Sequence, residues 1–138
     1  AEGAALCLMS YVWPDQRERL ERLRAAIALA QRLHLHVDAS DALPWVQARL
    51  ATPRPGVATV LYHSVMWQYM PQATRDGLHS AIAAAGERAT AQAPLAWLAF
   101  EPPAADARLL LELTLWPPGE RRVLAEAHPH GRWIRWLG

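Results

Sequence analysis

The sequence contains no lysine and no asparagine, so each of its 14 basic residues is an arginine. Alanine is abundant as well, a combination that reflects GC-rich coding rather than a chemistry. Against 13 acidic residues the formal charge is only +1, too little for the broad basic footprint that phosphate-backbone binding needs. Nucleic acid is therefore not an expected partner. The single cysteine, Cys7, cannot close an internal disulfide, and with nothing else pointing to an oxidising compartment the expected location is the cytoplasm. No apolar run reaches the roughly 20 residues that span a bilayer, and no basic segment leads into an apolar one at the start, so no membrane is expected. The 7 glycines are scattered and form neither G-x-G-x-x-G nor a P-loop, which removes the usual phosphate cradles. What remains, 138 residues of which 52% are hydrophobic, is the size and composition of one globular domain, 1–138.

Asp15 and Glu18 have the spacing of a capping box, and Leu20, Leu23, Ile27 and Ala30 then recur at steps of three and four, which predicts an amphipathic helix over about 15–33. Residues 35–37, Leu-His-Val, read as a short strand. Asp41 is a candidate N-cap for a helix over 42–51, closed by Pro53 and Pro55. The nearly continuous apolar run 57–63 predicts a strand covered on both faces, as central parallel strands are. Leu78, Ile82, Ala85 and Ala89 mark a third helix over 72–90, in which Gly77 is an unfavourable interior residue. A strand follows at 95–100. Residues 108–116 and 121–127 flank Pro117-Pro118-Gly119-Glu120 as a hairpin, with 133–136 extending its second arm. Alternation of strands and helices implies parallel pairing, hence an α/β sheet with a mixed edge.

Ligands of open α/β sheets sit beyond the carboxyl ends of the strands. That rule selects Asp38, Ala39 and Asp41 after the first strand, His63, Ser64, Met66, Trp67 and Tyr69 around the end of the second, and Glu101 after the third. An acidic residue there can accept from a ribose hydroxyl or an exocyclic amine, and an aromatic ring can wall a pocket. Each has a plainer alternative: aspartates cap helices, and aromatic rings pack under loops. The pairs His34/His36 and His128/His130 have alternate spacing, but no third ligand accompanies either, so no metal is expected. His63-Ser64 lacks the flanking glycines of a nucleophile elbow.

Tyr11-Val12-Trp13-Pro14-Asp15-Gln16, Leu61-Tyr62-His63-Ser64-Val65-Met66-Trp67-Gln68-Tyr69-Met70-Pro71, Pro94-Leu95-Ala96-Trp97 with Glu101-Pro102, and Trp116-Pro117-Pro118-Gly119 with His130-Gly131 resemble the uncharacterised bacterial family called domain of unknown function 2332. The resemblance spans nearly the whole chain and implies that it corresponds to the carboxyl-terminal part of a longer protein. It carries over no catalytic residue. Element order is also similar, more loosely, to the late half of class I S-adenosylmethionine-dependent methyltransferases, with Asp38-Ala39 at the adenine-side position. That similarity implies a Rossmann-like, three-layer methyltransferase-type sheet, present in part, ending in an antiparallel hairpin. Asp38, Ala39, Asp41, His63 and Ser64 would then face S-adenosylmethionine, and Trp67, Tyr69 and Glu101 a substrate. The alternative is a non-catalytic module for ligand binding or assembly. On either reading a small molecule is the expected partner, and exposed sheet edges would favour a homo-oligomer.

Overall fold

At 17–32 and 72–86 the apolar residues recur at helical spacing and the chain is helical. The structure, a computed structural model, describes residues 2–103, 108–129 and 132–138. They divide into two units, 1–39 and 40–138.

The first unit holds α1 (Glu2–Ser10) and α2 (Arg17–Arg32). On α2 the expected stripe is present, since Leu20, Leu23, Ile27 and Ala30 are its half-buried positions, yet none of its residues is fully buried. The capping box does not form: Gln16 is the N-cap and no side chain bonds the helix start. α1 has no amphipathic alternation to announce it. The strand expected at 35–37 is absent as well. His34 leaves the helix with φ 49° and the Leu35 N–H turns back to the Ala30 carbonyl, which spends on the helix end a donor that a strand would offer its neighbour. Leu35 and Val37 are exposed.

The second unit runs α3 (Ala42–Arg49), β1 (Thr59–Ser64), a 3-10 turn at Trp67–Tyr69, α4 (Gln72–Gly86), β2 (Leu95–Glu101), β3 (Leu109–Trp116), β4 (Glu120–Ala127) and β5 (Ile134–Trp136). Its mixed α/β architecture matches the expected class, but the sheet differs. The strand order is β1-β2-β3-β4-β5, with β1 parallel to β2 and every other pair antiparallel. Residues 133–136 do not extend the hairpin arm; the chain turns and β5 adds a fifth strand.

β1 is not a central strand covered on both faces. It lies at the sheet edge, and Thr59, Leu61 and His63 are half-buried while Val60, Tyr62 and Ser64 are exposed. An unbroken apolar string therefore stood for two different environments on alternate residues.

One core joins the helices to the sheet. Val46 and Leu50 of α3, Leu78, Ile82 and Ala85 of α4 and Leu95 of β2 are buried together, with Leu61, Trp97 and Trp116 against them. The sheet residues in this cluster share one face, because Leu61 pairs with Trp97 and Leu95 with Trp116. Both helices of the unit thus pack on that face. Gly77 earns its interior helical position by close approach, since a Cβ there would lie 2.8 Å from Leu43 on α3. At the end of α4 a Cβ on Gly86 would meet the Trp116 indole at 2.4 Å.

Candidate functional site

On the helix-bearing face, at the carboxyl ends of the parallel strands β1 and β2, lies a cavity of about 460 Å³. This is within the roughly 300–1,000 Å³ usual for small-molecule sites. His63, Trp67, His79 and Trp97 form one side; Glu101, Leu110, Glu112, Thr114 and Arg121 belong to the rest of its lining.

Its geometry starts from the turn after β1. Val65 is β-branched yet has φ 50°, a left-handed conformation that such residues resist and that persists only when neighbours impose it. Here the constraint is visible. The Val65 N–H donates to the Phe100 carbonyl at 3.0 Å, and the next two N–H groups, of Met66 and Trp67, donate to Glu101 Oε1 at 3.0 and 3.3 Å. Successive N–H groups turned inward form an anion-binding concavity, and the Glu101 carboxylate fills it. The same Oε1 lies 2.8 Å from His63 Nδ1.

The other ring nitrogen of His63 fixes its tautomer. Trp97 Nε1–H, a donor only, lies 2.9 Å from His63 Nε2, so Nε2 accepts and the proton sits on Nδ1, donated to Glu101. His63 is thus a neutral, fully bonded link between two strands and is not free to act as a base. Its ring stacks on Trp67 at 4.8 Å, and Trp67 and Trp97 stand 5.7 Å apart. His79, exposed on α4, meets both indoles at right-angled contacts of 5.0 and 5.1 Å. Across the cavity Arg121 grips both oxygens of Glu112, at 2.8 and 2.7 Å.

Of the residues the sequence selected, the structure brings His63, Trp67 and Glu101 together at this cavity. Ser64 and Met66 line a neighbouring apolar groove of about 400 Å³, which shares His63 and Trp67 with it. Tyr69 is 77% exposed and lines neither. Asp38 and Ala39 belong to the first unit, where Asp38 lies 3.4 Å from His36. Asp41 is the N-cap of α3 through its backbone, with no side-chain bond, and lines neither hollow. Among the described residues no group of three His, Cys, Asp or Glu side chains could hold a metal ion, and His130 of the second histidine pair, like Gly131, is outside them. No described helix is long and apolar enough to cross a membrane.

Sequence reasoning passed over Trp97, His79, Glu112, Thr114 and Arg121. For β3 a signal existed: Leu109, Leu111, Leu113 and Leu115 alternate with Leu110, Glu112 and Thr114, so polar side chains fall on the cavity face.

The family described as "Uncharacterized protein conserved in bacteria (DUF2332)" matches residues 1–136. The chain belongs to this family. No curated protein and no solved structure matches it.

Proposed function

We propose that this member of the DUF2332 family binds a small organic molecule in the cavity between Trp67, Trp97 and Glu101, the non-catalytic binding module being the reading that the geometry favours. The observation that carries it is the strained turn at Val65, held by three hydrogen bonds to β2, which sets the Trp67 indole as a wall. A rigid aromatic wall prepared in advance lowers the ordering cost of binding.

S-adenosylmethionine belongs among the first compounds to test, because an aromatic wall and a carboxylate suit a cationic nucleoside. Of the adenine-side residues, Asp41 is not part of the lining.

Tryptophan fluorescence and calorimetry across a small-metabolite panel that includes S-adenosylmethionine test the reading. A saturable one-to-one signal is expected, weakened by about 1 kcal/mol in Trp67→Ala, the scale of an aromatic contact beyond its buried area. A bound compound indifferent to Trp67 and His79 substitutions would remove the site from this cavity.

A further inference from the structure

Glu101 is an anion without a counter-cation among the described residues. Its Oε1 accepts from two backbone N–H groups and from His63 Nδ1, all neutral donors, and its buried Oε2 has no hydrogen-bond partner among the described residues. Buried charges are ordinarily paired, and neither nearby base pairs with this one. His63 is held neutral by Trp97. Arg121, the one guanidinium among the described residues of the lining, is committed to both oxygens of Glu112. Among the described residues of the lining, Glu101 and Glu112 against Arg121 therefore leave one negative charge in excess, beside two indole faces.

We infer that the cavity selects an organic cation, whose charge lies against Trp67 and Trp97 and is drawn there by the uncompensated carboxylate of Glu101. Ring faces attract cations through their quadrupole, and a nearby buried charge acts through the low-dielectric wall without needing direct contact. Oε2 itself stays covered, so the selection is by field and by the aromatic wall. This inference rests on the reading of the cavity as a binding site.

Four fragments of similar size but different charge test it: benzylamine, benzyltrimethylammonium, benzyl alcohol and phenylacetate, each titrated while the Trp67 and Trp97 indole N–H and His79 ring resonances are followed by NMR. Both cations should bind about tenfold more tightly than benzyl alcohol, between the exposed and the fully desolvated values of a cation–aromatic contact, with phenylacetate weakest. In Glu101→Gln, which keeps an acceptor for the turn, that preference should shrink to about threefold or less. Should this variant not fold, the ranking in the unaltered protein decides alone. If benzyl alcohol or phenylacetate moves the three side chains as tightly as the cations, the cavity binds ligands but the cation preference is overturned. A cation preference that survives unchanged in folded Glu101→Gln overturns the role of Glu101. If no fragment moves any of the three, the binding-site reading fails, and the inference with it.

Discussion

The two units of this chain answer the same sequence pattern differently. In α2, Leu20, Leu23, Ile27 and Ala30 form a regular apolar stripe, and none becomes fully buried. In α4, Leu78, Ile82 and Ala85 form a similar stripe, and their exposures fall to 2%, 1% and 6%. Periodicity decides that a helix forms with an apolar side; a facing sheet decides whether that side becomes a core. Stability should accordingly be concentrated in residues 40–138.

Truncation at matched positions probes this contrast most strongly. Ile82→Ala should cost about 3–4 kcal/mol, as for well-packed core residues, whereas Leu23→Ala on α2 should cost less than about 1 kcal/mol. Denaturant melts of both variants check it, and equal losses would erase the distinction between the units.

Gly86→Ala comes next. The new Cβ would press on the Trp116 ring, which cannot yield as a flexible chain end can, and about 2 kcal/mol should be lost. Thermal unfolding measures it. A neutral result would mean that α4 and β3 approach less closely than described.

Smaller again is the effect of Glu126→Gln. This buried carboxylate of β4 is bonded by Arg108 at 2.9 Å and by Arg135 of β5. Because both arginines remain largely exposed, their own charges stay hydrated, and the loss should be about 1–2 kcal/mol. Hydrogen exchange should show β5 opening more readily than β1 in this variant.

The smallest effect lies at the surface. Glu120 is held below the ordinary carboxylate range by its hydrogen bond and attraction to Arg122. A carboxylate depressed in the folded state stabilises above its unfolded titration point, and that contribution disappears as pH falls through the folded value. An NMR titration should find Glu120 returning to the ordinary range in Arg122→Gln, with the melting temperature barely changed.

Much of this was legible. The hairpin, the three helices after residue 15 and the strands at 57–63 and 95–100 all follow from periodicity and turn residues, with ends moved by a few positions. Less accessible was the neighbourhood of each strand. Residues 57–63 look central, but an edge strand whose alternate residues are all apolar gives the same string, and only Val60 and Tyr62 at 60% and 56% exposure reveal it. Three residues at 35–37 were too few to overrule the helix end that claims the Leu35 N–H. At the site, the strand-end rule found His63, Trp67 and Glu101 because local chain direction suffices there. It missed Glu112, for which the alternation along β3 was the signal, and His79 and Arg121, which reach the cavity through helix docking and antiparallel pairing, relations between segments that a linear reading does not carry.

Whether the hollow beside Trp67 and Trp97 is a prepared binding site is tested most directly by crystals of the protein soaked with benzylamine. Density for the fragment is expected inside the cavity, its ammonium over an indole face, with the Val65 turn and the hydrogen bonds of Glu101 to Met66 and Trp67 unchanged. Crystals in which Trp67 or His79 has collapsed into the space, or in which the Val65 turn has relaxed out of its left-handed conformation, would contradict the account.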